Sequence, residues 1–592
     1  MTRFSSKIRK RGEEEIQKGK VDVLFALNEI TSIFLVFLES IVSFITYLLP
    51  SWIISICTSI VKFIFQNPYV IGLSNKSKDP MYEKYIKDKI DTELLKKIES
   101  LRTAKSFKEM CTIFDVKVEN HLVQTSDSNP FCLTLHRLDP KLNGLKPNGK
   151  VVYLQHGLLM SSEIWITMYQ KEFNLPFVLM ELGYEVWLGN NRGNKYSCKN
   201  VNIGIEDKNF WDFSIDEFAI YDIPNSIDYI LNFTKVKGLT YIGFSQGCSQ
   251  ILASVSLNFS LNEKIEKLVL ISPATTPKGL SNKIIDTMMS WSPTLMFLVF
   301  GRKILLKSAN FWKNIIYPPF FVKIIDSGNN MLFKWKSENI DATQKFISYF
   351  HLYSATSVKC VVHWFQIMKA KKFQMYNELT QIGEFGGGGE SFNVFEFDTR
   401  NRIKIPDILL IYGKSDSLVD IEVLMNQLPN FTTDVVDIQY KEDGDYYINN
   451  NLKEKEELIR FKDTSSVSPP SSSNSNIIRK RMYSFSNDSS DFNERLLKTI
   501  NEDSINENYT NEDEQLTEFG EEISLLKDET STINSNDSTK RTEYMDLSNP
   551  NTNYDDNNKI KIIGVEKYEH LDLIWCENIN EIVFKNIKDF LN

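Results

Sequence analysis

The stretch LTYIGFSQGCSQILAS, residues 239–254, decides the fold of this chain. It begins as a β-branched apolar run typical of a buried strand, turns at GFSQG (243–247), and continues as a small-residue helix. A G-x-S-x-G pentapeptide between a strand and a helix is typical of a nucleophile elbow. Flanking glycines let the serine take a strained turn at the helix N-terminus, where amide dipoles favour developing negative charge. We therefore predict Ser245 as a nucleophile; the alternative is a serine that only caps the helix.

Around this elbow, residues 80–440 alternate short apolar runs with helical patterns, which predicts an α/β fold with a mostly parallel sheet. VVYLQHG (151–157) and IPDILLIYG (405–413) are further predicted strands. The stretch 272–401 is helical, aromatic and Met-rich, and we expect it to be an inserted cap. The predicted core is thus divided into 80–271, 402–440 and, at the end of the chain, 561–592.

A nucleophilic serine needs an acid and a base, which follow it in that order in this type of fold. Asp416 comes just after the predicted strand 405–413, where such sheets place their functional groups. Asp420 is a close competitor, whereas Asp407 lies at the wrong end of the strand. We predict Asp416 as the acid.

Few residues are candidates for the base, since the chain has only 6 histidines. Downstream of Asp416 the one histidine is His570, which we predict as the base; His351 and His363 are expected to pack in the cap. The long separation is explained by residues 441–560, which are polar and carry a formal charge of −12. A segment of that composition cannot offset its ordering entropy, so we expect it to be disordered.

An oxyanion hole requires two N–H donors. The elbow supplies the backbone N–H of Gln246, and the loop after the strand 151–155 supplies a second, predicted to be that of Leu158. His156, in the same loop, is expected to be structural.

The N-terminal part predicts membrane association. A polar tail (1–20) with seven basic residues precedes an apolar segment (21–66) of two arms broken at Pro50. Each arm is close to the ~20 residues that span a bilayer, but Glu39 and Lys62 interrupt them, which favours a hairpin with both flanks in the cytosol. The alternative is a pair of core helices; a cleaved signal peptide fits less well.

Composition excludes several classes of protein. The 592 residues have a net charge of −9 and a pI near 5.5, which argues against a nucleic-acid binder. Seven scattered cysteines without a C-x-x-C pair argue against a disulfide scaffold and a thiolate zinc site, and favour a reducing compartment.

The motifs together resemble the acid lipase family of α/β-hydrolases and, within it, the sterol esterases of lipid droplets. The resemblance rests on HGLLMSS (156–162), GNNRGNKYS (189–197), FWDFSIDEFAIYDIPNSIDYIL (210–231), GFSQG (243–247), SPATTPKG (272–279), YGKSDSLVD (412–420) and YEHLDLIW (568–575). It implies the same triad, Ser245, Asp416 and His570, a neutral-lipid ester substrate, a mobile cap, and no metal or organic cofactor. TSDSNPFCL (125–133), the Gly386–Gly389 run and the 441–560 insert depart from the family pattern.

Together with this resemblance, the sequence predicts a membrane-bound serine hydrolase of steryl esters on lipid droplets and the endoplasmic reticulum, with the plasma membrane as a further address. Triacylglycerols are an alternative substrate, and an inert hydrolase-fold scaffold is the alternative without catalysis. A luminal acid lipase would instead carry glycans at Asn232 and Asn258. Ser484, after a basic cluster, is a weaker expectation for a phosphorylation site.

Overall fold

A computed structural model of the protein describes residues 92–279, 318–377, 406–428, 432–440, 446–449 and 559–592, with positions 296, 297, 300–305, 313 and 316. All of these belong to one compact unit of the chain. The predicted tail (1–20), the predicted hairpin (21–66), Gly386–Gly389 and Ser484 lie outside the described residues. Within the described part, no helix combines the length and the apolar character needed to cross a bilayer.

Eleven strands of the described residues form one sheet in the order β1-β2-β4-β3-β6-β7-β10-β13-β11-β12, with β5 paired to β2. The pairs from β4 to β11 are parallel, and those at both ends are antiparallel. A separate two-stranded sheet pairs β8 with β9. The strands are β1 Glu119–Gln124, β2 Phe131–Leu138, β3 Val151–Gln155, β4 Glu185–Leu188, β5 Lys199–Asn200, β6 Leu239–Phe244, β7 Ile265–Ile271, β8 Ile304–Leu305, β9 Thr356–Ser357, β10 Asp407–Gly413, β11 Thr432–Tyr440, β12 Tyr446–Asn449 and β13 Lys559–Val565.

Helices connect these strands and cover both faces of the sheet. The α-helices are α1 Thr92–Thr103, α2 Phe107–Ile113, α3 Leu175–Glu181, α4 Ile215–Glu217, α5 Ile223–Thr234, α6 Gln246–Leu257, α7 Pro318–Phe333, α8 Ala342–Leu352, α9 Val358–Ala370, α10 Ile421–Gln427, α11 Asp572–Trp575 and α12 Lys585–Leu591. Short 3₁₀ turns occupy Ser162–Ile166, Lys171–Phe173, Lys208–Trp211 and Phe259–Lys264, and π-turns occupy Phe218–Asp222 and Asn580–Phe584.

Two hydrophobic cores lie on the two faces of the sheet, because side chains alternate along each strand. In β10, Leu409 and Ile411 belong to one core, and Ile408 and Leu410 to the other. Both sets are fully buried, as in a parallel sheet covered by helices on both sides. This rigid layer fixes where each strand ends, and therefore where the loops that follow the strands lie.

The end of the chain completes the sheet, since β13 lies between β10 and β11 and runs parallel to both. The structure corrects one boundary: the segment predicted to be disordered from residue 441 contains β12, which pairs antiparallel with β11. The aromatic and β-branched run Tyr446-Tyr447-Ile448 favours a strand locally, although the surrounding composition is acidic. Residues 450–558 lie outside the described part. Of the expected cap (272–401), the structure describes three helices, α7 to α9, and the two-stranded sheet of β8 and β9.

Candidate active site

Ser245 lies between β6 and α6 in a backbone conformation that a residue with a side chain rarely adopts, with φ 54° and ψ −118°. Its N–H donates to the Ile271 carbonyl of the neighbouring strand at 3.0 Å, which holds the turn in place. Strain of this kind persists only where the surrounding structure enforces it, and it is typical of a nucleophile elbow. The side chain is 6% exposed.

The glycines on each side of Ser245 are required by close packing. A Cβ on Gly243 would lie 2.8 Å from the Cys248 nitrogen, and one on Gly247 would lie 2.4 Å from the Gln155 carbonyl oxygen. A Cβ on Gly157, in the loop after β3, would lie 3.0 Å from the Cβ of Ser245. The β3 loop therefore packs directly against the elbow.

Asp416 lies in the loop after β10 and is buried. One carboxylate oxygen accepts from the Leu418 N–H at 2.8 Å, and the other lies 2.6 Å from Nδ1 of His570. The competitor, Asp420, caps α10 instead, where its carboxylate accepts from the Val423 N–H at 3.3 Å. Asp407 begins β10 and so lies at the opposite end of that strand.

His570 lies in the loop after β13, and this loop is held tightly against the loop after β10. The Tyr568 carbonyl accepts from the Ser415 N–H at 3.0 Å, and a Cβ on Gly413 would lie 2.2 Å from the same oxygen. The imidazole is buried and lies 5.1 Å, between ring centroids, from Phe244, the neighbour of Ser245. The ends of β6, β10 and β13, at one edge of the sheet, thus place Asp416 against His570 and the His570 ring beside Phe244, the residue before Ser245.

The arrangement has a defined chemical capacity. Because Asp416 accepts from Nδ1 of His570, that nitrogen carries the proton and Nε2 is left as a base. The backbone N–H groups of Leu158 and Gln246 lie beside the elbow, and within the described part of the chain neither has a protein acceptor. Such a set of groups can attack an acyl carbon, accept the serine proton and stabilise an oxyanion.

Comparison with known proteins agrees with this chemistry. Residues 150–446 match a family model described as alpha/beta hydrolase fold, and residues 107–169 match one described as a partial alpha/beta-hydrolase lipase region. The chain belongs to the α/β-hydrolases. It is similar to a probable lipase of Schizosaccharomyces pombe, with 43% identity over 63% of this chain and 82% of that protein. A second probable lipase of that yeast is 45% identical over 57% of this chain and 72% of that protein.

The human gastric triacylglycerol lipase is also similar, with 32% identity over 45% of this chain and 68% of that protein. These relatives and the family models identify the chain as a carboxylic ester hydrolase of the lipase type.

The remaining histidines of this hydrolase near the site have structural surroundings. Burial lowers the pKa of His156 to about 4, and its Nε2 accepts from the Asn191 N–H at 3.1 Å. Burial also lowers the pKa of His363 to about 4, and this ring lies on α9 with Nε2 donating to the Gln374 carbonyl at 2.8 Å. His351 on α8 lies 3.0 Å from the Glu163 carboxylate. These contacts account for all three rings without a role in the chemistry.

Two contacts of the hydrolase site were not predicted from the sequence. Trp335, after α7, stacks on His570, and Trp364 on α9 donates from its indole N–H to the Gln246 side-chain oxygen at 2.7 Å. Gln246 was named for its backbone alone, and nothing local to either tryptophan indicates a partner so distant along the chain.

Proposed function

We propose that this chain is a membrane-associated serine hydrolase of neutral-lipid esters, with steryl esters as the principal substrate. The observation that carries the proposal is the pair formed by Asp416 and His570 beside the strained Ser245. In this proposal Ser245 is the nucleophile, His570 the general base and then acid, and Asp416 the group that fixes the imidazole tautomer.

The reaction proceeds in two halves. His570 takes the proton of Ser245 as Oγ attacks the ester carbonyl carbon, and the N–H groups of Leu158 and Gln246 bind the oxyanion. When the tetrahedral intermediate collapses, the bond between the acyl carbon and the alcohol oxygen breaks. His570 returns the proton to that oxygen, and free sterol leaves. Water then attacks the acyl-enzyme with His570 as base, which releases the fatty acid and restores Ser245.

A lipid-phase substrate is supported by two features. Helix α7 leaves two large apolar side chains in solvent, Phe320 at 52% and Ile324 at 41% exposure, and its C-terminal end leads into Trp335 beside His570. The apolar sequence 21–66 supports attachment to a membrane or lipid-droplet surface with the catalytic domain in the cytosol. The choice of steryl esters rests on the resemblance of the motifs to sterol esterases.

Triacylglycerol hydrolysis by the same groups is the second candidate, and it is favoured by the similarity to a gastric triacylglycerol lipase.

The test measures hydrolysis of steryl oleate and trioleoylglycerol side by side, by membranes carrying the full chain. Ser245→Ala is the inactive variant. Ser256→Ala is the matched control, because it removes a hydroxyl of helix α6 whose one hydrogen-bond partner among the described residues is the Ala253 carbonyl.

Steryl oleate turnover that disappears in Ser245→Ala and persists in Ser256→Ala is the expected result. Turnover of trioleoylglycerol alone would transfer the function to a triacylglycerol lipase. No turnover of either that depends on Ser245 would contradict the proposed substrate class.

Location is tested separately on the full chain. We expect it to stay with membranes after alkaline carbonate extraction and to show no mobility change on glycosidase treatment. Recovery in the supernatant would contradict membrane attachment, and a glycosidase-sensitive shift lost in Asn232→Gln or Asn258→Gln would place the domain in a lumen.

A further inference from the structure

Trp335 covers His570 with a parallel ring. The indole and imidazole centroids are 5.2 Å apart and their planes differ by 7°, an offset stack. Phe333 also stacks on Trp335, with ring centroids 4.3 Å apart, and Trp335 is only 4% exposed. Trp335 belongs to the turn between α7 and α8, so the helical region inserted between β7 and β10 supplies one wall of the imidazole.

The turn that carries Trp335 is fixed by the residue next to His570. The Glu569 carboxylate accepts from the N–H of Lys336 at 2.8 and 2.9 Å and from the N–H of Ser337 at 2.8 Å. Lys334 and Ser337 both have positive φ, at 59° and 53°, so the turn has a tight and unusual shape that these bonds stabilise.

A second carboxylate ties the same two segments on the other side of His570. One oxygen of Asp572 accepts from the Glu569 N–H at 2.7 Å and from the Asn339 side-chain N–H at 2.9 Å. Asn339 also donates to the Lys567 carbonyl at 3.0 Å. The loop of His570 and the turn of Trp335 are therefore joined by hydrogen bonds from residues before and after His570 in the chain.

These contacts matter because Asp416 alone does not fix the ring. One hydrogen bond to Nδ1 sets the direction of that N–H but leaves the tilt of the plane loosely defined. A stacked ring removes that freedom. An aromatic face also stabilises a cation, which favours the imidazolium that forms when His570 accepts the serine proton.

We propose that Trp335 is a positioning residue for His570, held in place by Glu569, so that the inserted helical region takes part in orienting the catalytic base. The inference rests on the proposed role of His570. Substitution of Trp335 leaves the charged groups around the imidazole unchanged, namely Asp416 on the β10 loop, Glu569 and Asp572 on its own loop, and Lys336 on the turn. A change in the pH dependence of the reaction would therefore report on the stack.

The test uses the full chain and a water-soluble ester, p-nitrophenyl butyrate, so that lipid binding does not enter. We expect Trp335→Leu to lower kcat/KM about 10- to 100-fold, and to move the acid limb of its pH profile about 0.5 to 1 unit towards lower pH. Trp335→Phe keeps the stack, and the indole N–H has no partner among the described residues, so this variant should recover most of the activity. Trp211→Leu is the matched control, a buried tryptophan on the other core.

Glu569→Gln provides a second route if Trp335→Leu does not fold. It keeps the volume and weakens the anchor of the turn, so the same changes are expected at smaller size. A Trp335→Leu enzyme with wild-type kcat/KM and pH profile would overturn the proposal, as would a Trp335→Phe enzyme as impaired as Trp335→Leu. A Ser245→Ala enzyme as active as the wild type would instead overturn the proposed function, so the two failures are distinguishable.

Discussion

Two regions of this molecule build the site in different ways. The sheet contributes Ser245, Asp416 and His570, each from a loop that directly follows a buried parallel strand. The helical region contributes Trp335 and Trp364, which reach the site across long distances in the chain and through side-chain contacts. The difference suggests that the sheet sets the chemistry and the helical region adjusts it. We therefore expect substitutions in the sheet loops to cost orders of magnitude and those in the helical region to cost less.

The largest effect is expected from Asp416→Asn, which should lower kcat about 10³- to 10⁴-fold. The amide cannot hold the imidazole in the required tautomer, although it fits the same space. The measurement is kcat on p-nitrophenyl butyrate.

Asp420→Asn is the matched control for that experiment. Asparagine caps a helix as well as aspartate does, so kcat should stay within about twofold of the wild-type value. Equal losses in the two variants would contradict the assignment of the acid.

The next prediction concerns acid stability and applies to both regions. Burial lowers the pKa of His136 to about 3, and those of His156 and His363 to about 4. In the unfolded chain these histidines bind protons below about pH 6.5, whereas in the folded chain they stay neutral down to about pH 4. The free energy of unfolding is therefore largest above pH 6.5 and falls as the pH decreases towards 4. Each histidine should remove about 1.4 kcal/mol per pH unit over this window.

The free energy of unfolding, measured in urea between pH 7 and 4.5, tests this expectation. His363→Asn should reduce the slope of the unfolding free energy against pH by the contribution of about one proton. A slope that is unchanged in this variant would show that the ring does not stay neutral in the folded protein.

A smaller effect is expected where the β10 and β13 loops touch. Gly413→Ala would put a methyl group 2.2 Å from the Tyr568 carbonyl oxygen, so the two loops must separate. We expect about 1–3 kcal/mol of destabilisation and a lower kcat, because Asp416 and His570 lie on those loops. Gly204→Ala is the control, since its methyl group would meet nothing within 4 Å. Equal melting temperatures would contradict the tight packing of the loops.

The smallest effect is expected from Trp364→Phe in the helical region. The substitution removes the hydrogen bond to Gln246 and keeps an aromatic ring. The loss of one such hydrogen bond costs about 0.5–1.5 kcal/mol, so kcat should fall a few-fold. Trp211→Phe, which loses a hydrogen bond to the Ile205 carbonyl, should reduce stability without changing kcat. A loss as large as that of Asp416→Asn would erase the distinction between the two regions.

Ser245, Asp416 and His570, on the loops of the sheet, could be predicted from the sequence because their signals are local. The strands at Leu239–Phe244 and Asp407–Gly413 are short apolar runs, and the scarcity of histidines singled out His570. The structure brings Asp416 and His570 into contact across 154 residues, as the predicted order of the triad requires. The catalytic roles themselves remain our proposal.

The contacts of the helical region could not be predicted in this way. Lys336 and Glu569 are 233 residues apart, and neither the turn after α7 nor its positive φ angles have a clear signature in the sequence. Strand β12 was missed for a related reason, because a four-residue strand is outweighed by the acidic composition around it.

The most direct test of the central claim is labelling of the full-length protein with a fluorophosphonate, followed by mass spectrometry of its peptides. We predict one adduct, on Ser245, with a rate that falls at least about 10³-fold in His570→Gln. The rate should be unchanged in His121→Gln, since His121 lies on β1 with its Nδ1 3.0 Å from the Tyr229 hydroxyl. An adduct on another residue, or a wild-type labelling rate in His570→Gln, would contradict the assignment of Ser245 and His570 as nucleophile and base.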